Sequence, residues 1–127
     1  MDANTRDQAF QVYDSCLRDA SASLTRMMDC LGRVYPTDSK FFVSSQNVLR
    51  FLHSHKQVSV RERCYSGMNT AHFEEVVKIC VYYLDLLDTQ FPSAVINDLK
   101  ETFVSLLDSA EKILGLFSLE ELRLKQQ

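Results

Sequence analysis

Apolar residues recur every three or four positions along most of the chain, most strongly between residues 70 and 91. The repeating positions there are Phe73, Val76, Val77, Cys80, Tyr83, Leu84, Leu87 and Phe91. Four further apolar residues lie outside this stripe: Ile79, Val81, Tyr82 and Leu86. Because a helix that is apolar nearly all round is normally covered on several sides, we expect this segment to be the central helix of a bundle. Lys78 and Asp85 interrupt the apolar run and argue against a membrane span.

Capping residues and helix breakers divide the rest of the chain into similar segments. Capping boxes, in which two side chains satisfy free backbone donors at a helix start, occur at Thr5 with Gln8, Ser59 with Glu62, and Ser118 with Glu121. The glycines fall at proposed helix ends and both prolines fall between helices. The predicted helices cover residues 6–31, 39–56, 60–66, 70–91, 94–114 and 119–125.

Helices of similar length with short connections favour antiparallel neighbours. The second and third predicted helices are together about as long as each of the others, with an interruption around residues 57–59. We therefore predict an all-α fold: an up-and-down four-helix bundle with a broken second arm and a short C-terminal helix, forming one domain over residues 1–127.

Composition agrees with an ordinary globular domain. The 127 residues are 46% hydrophobic and 24% charged, with three glycines and two prolines, and a chain of this length can bury a substantial core. The first ten residues contain no apolar stretch of the kind found in secretory signals. The four cysteines lack the paired spacing of a metal site or redox motif, so we expect reduced thiols and a cytoplasmic or nuclear location.

Candidate catalytic groups are few. Asp85 with Asp88, and Asp98 with Glu101, have helical spacing, but solvated helix faces explain them equally well. Cys64 is the strongest candidate for a reactive thiol because Arg61 and Arg63 precede it, although a core position is favoured. His53, Cys64 and His72 give only a weak zinc pattern. We therefore expect no enzyme activity, no catalytic residue, no metal site and no cofactor; a small enzyme using Cys64 or an acidic pair is the least favoured hypothesis.

Charge is unevenly distributed. Residues 50–63 carry a net charge of +3, residues 64–127 carry −5 and residues 1–49 carry −1. The basic segment, called here the basic bend, contains six candidate partner-binding residues: Arg50, His53, His55, Lys56, Arg61 and Arg63. It suits an acidic protein segment or an anionic lipid headgroup, with histidines that could add pH sensitivity. The acidic chain, without aromatic residues interleaved with basic ones, argues against nucleic-acid binding.

Apolar residues beyond the needs of four helices form a second candidate surface: Val34, Tyr35, Ile79 and Tyr82. Leftover apolar surface on a bundle indicates a partner helix or a homodimer, unless the C-terminal segment covers it. Our leading interpretation is a non-enzymatic adaptor or scaffold module that binds another protein, through an acidic or amphipathic segment, in an interhelical groove or at the basic bend. The alternative is a peripheral anionic-lipid-binding or membrane-trafficking factor that uses the same basic residues.

Overall fold

The computed structural model describes residues 3–33, 39–56 and 69–125 of the protein. They form four helices: α1 (Ala3–Leu31), α2 (Lys40–Lys56), α3 (Asn69–Asp88) and α4 (Ala94–Lys125). No strand occurs within these ranges, which confirms the all-α prediction. The helix predicted at 60–66 lies outside the described residues.

Contacts between opposite ends of neighbouring helices define the topology. Ser23, late in α1, donates a hydrogen bond to Asp98, early in α4, at 2.8 Å. Phe10, early in α1, packs against Phe117, late in α4, with ring centroids 6.4 Å apart. α1 and α4 are therefore antiparallel, and they pack extensively, as α3 and α4 do.

The α2–α3 pair closes the ring of helices. The hydroxyls of Ser45, near the start of α2, and Tyr83, near the end of α3, are hydrogen-bonded at 2.6 Å. At the other end of this pair, the rings of His55 and His72 lie 4.2 Å apart. The four helices thus run up and down in chain order, as predicted. α2 and α3 make the least backbone contact of the four neighbouring pairs.

Serine caps fix the starts of α2 and α4. The Ser39 hydroxyl accepts a hydrogen bond from the Phe42 backbone N–H, and the Ser93 hydroxyl accepts one from the Ile96 N–H, both at 3.2 Å. A side-chain oxygen at this position satisfies a backbone donor that has no partner within the helix. The predicted starts at residues 39 and 94 follow from this local chemistry.

The end of α3 comes earlier than predicted. The helix ends at Asp88 rather than near residue 91, and the Thr89 N–H bonds back only three residues, to the Leu86 carbonyl, at 3.1 Å. Pro92 disfavours helical geometry at the residue before it. Phe91 consequently leaves the apolar stripe and is 86% exposed, so its prediction as a core residue is wrong.

The separate C-terminal helix predicted at residues 119–125 is also wrong, since α4 continues unbroken to Lys125. Gly115 lies inside this helix, and the Ser118 hydroxyl donates to the Leu114 carbonyl at 3.1 Å instead of capping a new helix. A single glycine costs a helix only about 1 kcal/mol. Packing of Phe117 against Phe10 and Phe73 favours the continuous helix.

The core is one cluster to which all four helices contribute. In α3 the fully buried positions are Phe73, Val76, Cys80, Tyr83 and Leu87, which are members of the predicted stripe. However, Val81 and Tyr82 are about half exposed, so the expectation that this helix is covered on several sides is wrong for its outer face. In an up-and-down ring α3 has two neighbouring helices, and neither covers that face.

Candidate functional site

Every charged residue of α2 is basic. Its 17 residues include Lys40, Arg50 and Lys56 and no acidic residue. The inward side of α2 is occupied by buried residues such as Val48 and Leu52, because apolar positions recur there at helical spacing. Arg50 lies off this inward side and is exposed.

Arg50 and His53 lie together on this outward face. They line a shallow depression of about 320 Å³ with Leu49 and Ser54. Residues three and four apart project from the same side of a helix, so α2 alone assembles the depression. Leu49 is partly buried and supplies an apolar wall, while Arg50 and His53 are exposed. The guanidinium offers a planar set of donors that matches a carboxylate.

His55, predicted as part of the same basic bend, lies in a different environment. Its ring is 4.1 Å from the ring of Phe51 and 4.2 Å from that of His72, measured between centroids. His72 in turn is 3.2 Å from the Tyr13 hydroxyl through its Nε2 atom. His55 therefore packs between α2 and α3 and does not join Arg50 and His53. Among the other residues of the basic bend, Lys56 ends α2, whereas Arg61 and Arg63 lie outside the described residues.

The second predicted surface is partly described. Tyr82 is 50% exposed, and its hydroxyl lies 3.3 Å from the Ser44 hydroxyl of α2. Ile79 is half-buried against the core. Val34 and Tyr35 lie outside the described residues. Three exposed residues were not predicted for this surface: Val43, Val81 and Val104. Their positions off the core stripes are a signal that was available in the sequence.

The acidic candidates have structural partners. Asp98 accepts the hydrogen bond from Ser23 and lies 3.5 Å from the guanidinium of Arg26. Asp88 forms an ion pair with Lys100 at 3.0 Å. These contacts join α4 to α1 and to the end of α3. They give the two carboxylates a role in helix packing.

Two of the described thiols, Cys16 and Cys80, have raised pKa values. Burial raises the pKa of Cys80 to about 12, which keeps its thiol protonated at neutral pH. Burial also raises the pKa of Cys16, partly offset by a hydrogen bond with Ser109. Cys30 is exposed, and Cys64 lies outside the described residues. Within the ranges 3–33, 39–56 and 69–125, no three histidine, cysteine or acidic side chains lie close enough together to hold a metal ion.

None of the described helices combines the length and the hydropathy that crossing a membrane requires. Comparison with known proteins adds no functional information: no protein-family model matches the chain, and no curated protein or solved structure gives a significant match.

Proposed function

We propose that the protein is a non-enzymatic interaction module, an adaptor or scaffold subunit, that binds an acidic segment of another protein on the outward face of α2. One observation carries this proposal: Arg50 and His53 line a common depression on a helix without acidic residues. In the sequence, Lys56, Arg61 and Arg63 follow Arg50 and contribute to the positive net charge of residues 50–63.

The chemistry of the depression defines the partner. Arg50 donates to a glutamate or aspartate carboxylate, and Leu49 contacts an apolar side chain beside it. Because an exposed ion pair contributes only about 0.2–1 kcal/mol, one carboxylate is not sufficient for binding. The partner therefore carries several acidic residues alternating with apolar ones, and its affinity falls as salt concentration rises.

An anionic membrane surface is the alternative partner. Helices that insert into a membrane interface bury an exposed apolar face among the lipids. The apolar face of α2 is instead occupied by the core, through Phe41, Val48 and Leu52. Contact with lipid would thus be limited to headgroups, which favours the protein partner. Free cysteines at 16, 30 and 80 are compatible with action in the cytoplasm or nucleus.

Fluorescence anisotropy with a labelled peptide of alternating glutamate and leucine residues tests the proposal. Arg50→Glu should weaken binding by about tenfold, because the change removes an attraction and adds a repulsion that together amount to about 1.4 kcal/mol. Lys112→Glu makes the same charge change at an exposed position of α4 and should leave the affinity within about twofold of the unmodified protein.

Vesicles of phosphatidylcholine containing phosphatidylserine form the second arm of the experiment. Binding to these vesicles but not to the peptide would support the lipid alternative and overturn the protein proposal. Binding to neither, or equal loss of peptide binding in Arg50→Glu and Lys112→Glu, would overturn the role of the α2 face.

A further inference from the structure

Four exposed apolar side chains lie on three neighbouring helices of the bundle. Among the described residues, Val43 of α2, Val81 and Tyr82 of α3, and Val104 of α4 are 42%, 46%, 50% and 45% exposed. Apolar residues that are exposed together mark interaction sites more often than apolar residues scattered singly over a surface. We call these four residues the apolar belt.

Contacts between the helices place the belt at a single height on the bundle. Val43 immediately precedes Ser44, whose hydroxyl lies 3.3 Å from that of Tyr82. Val104 immediately follows Phe103, whose ring centroid is 4.9 Å from that of Tyr83. The belt thus crosses α2, α3 and α4 at the level of residues 81–83, with α3 in the middle.

Charges on α3 border the belt symmetrically. Lys78 lies one turn before Val81 and Tyr82, and Asp85 lies one turn after them, each about 5 Å along the helix axis from their midpoint. Both side chains are exposed. When a second α3 lies antiparallel across the first, Lys78 of each copy comes opposite Asp85 of the other. The two α3 helices are therefore complementary at these two positions.

We infer that a second copy of this chain binds the apolar belt, forming a two-fold symmetric dimer in which the two α3 helices cross antiparallel at Val81 and Tyr82. A two-fold interface brings the same patch of both copies together, so each favourable pair occurs twice. The two Lys78–Asp85 pairs select the antiparallel direction, because parallel helices would bring equal charges together.

Some acidic residues of α3 have no basic residue opposite them in the second copy, and they lie away from the point where the two helices cross. Glu75 of one copy would be level with Asp88 of the other, about 10 Å along the axis from the centre. Crossed helices diverge over such a distance, and Asp88 is already paired with Lys100. The repulsion is therefore weak compared with the central contacts. The proposal does not depend on the basic face of α2, since Arg50 lies two turns along α2 from Val43.

Sedimentation equilibrium over a range of protein concentrations tests the dimer. Lys78→Asp and Asp85→Lys should each weaken dimerisation by about tenfold or more, because each single change places like charges opposite each other at both symmetric pairs. The double variant, Lys78→Asp with Asp85→Lys, restores opposite charges and should return to within about threefold of the original dissociation constant. Lys112→Glu, an exposed charge reversal on α4 outside the belt, is the matched control.

Val81→Glu provides an independent test, because it places a charge at the centre of the interface without altering a buried residue. This variant should be monomeric at concentrations where the original chain is a dimer, with an unchanged circular dichroism spectrum. A monomer at every concentration for the original chain would overturn the inference. So would a dimer that tolerates Val81→Glu, or one that the charge-swapped double variant fails to restore.

Discussion

The hydrogen bond between Ser45 and Tyr83 joins the two helices that make the least backbone contact. Both residues are fully buried, and their hydroxyl oxygens are 2.6 Å apart. Burial raises the pKa of Tyr83, with the Ser45 hydrogen bond opposing part of that shift. The phenol therefore stays protonated, and it needs a polar partner in a core that offers few. We expect Ser45→Ala to destabilise the protein because it leaves the Tyr83 hydroxyl buried without this hydrogen bond.

The magnitude follows from the cost of an unsatisfied buried hydroxyl. That cost is about 1–3 kcal/mol, so Ser45→Ala should lower the free energy of unfolding by about 2 kcal/mol. In a domain of this size the change lowers Tm by roughly 8 °C. Tyr83→Phe should cost less, because a helical serine can bond the carbonyl four residues earlier. Ser21 already bonds the Leu17 carbonyl in this way, at 2.9 Å.

Urea unfolding followed by circular dichroism measures these free energies. The double variant, Ser45→Ala with Tyr83→Phe, replaces both polar partners and should be more stable than Ser45→Ala alone. Ser21→Ala is the matched control: it removes a buried serine hydroxyl that bonds only within its own helix, and it should cost less than about 0.5 kcal/mol. The reasoning fails if Ser45→Ala is no more harmful than Ser21→Ala, or if the two changes at 45 and 83 are additive.

Further predictions concern two glycines and one thiol. Gly115→Ala should raise the free energy of unfolding by about 0.5–1 kcal/mol in urea titrations, because an added Cβ meets no atom within 4 Å; Gly32→Ala should lower it, because its Cβ would lie 2.5 Å from the Met28 carbonyl oxygen. Burial raises the pKa of Cys80 to about 12 from 9.0, so above pH 9 the unfolded chain ionises this thiol while the folded protein keeps it protonated. The free energy of unfolding should therefore fall between pH 9 and pH 12 by about 1.4 kcal/mol per pH unit from this group, and less steeply in Cys80→Ala; equal slopes in both proteins would contradict this assignment.

The sequence pattern was most informative where local chemistry decides the structure. The α3 stripe through Phe73, Cys80 and Leu87 and the starts of α2 and α4, which Ser39 and Ser93 cap, depend on spacing within a few residues. These features were predicted correctly because neighbouring residues along the chain determine both burial and capping.

Features that depend on contacts between residues far apart in the sequence could not be predicted from local patterns. The local signals at Gly115 and Ser118 favour a helix break, but α4 continues because Phe117 packs against residues far away in sequence. Packing of His55 against His72 likewise joins residues whose sequence separation gives no local signal. Charge composition identified the basic segment, but only the structure separates its outward residues, Arg50 and His53, from the inward-facing His55.

Both proposed surfaces consist of residues that do not face the core of the bundle. Residues such as Ser45 and Leu52 face the core, and their identities are set by packing and hydrogen bonding. Arg50 of α2 and Val81 of α3 lie outside these core stripes, where stability places little constraint on residue type. An exposed valine or an uncompensated arginine is not required by the fold. Residues whose identity the fold does not explain are therefore the appropriate starting points for tests of function. In this bundle they define a basic face on α2 and an apolar belt centred on α3.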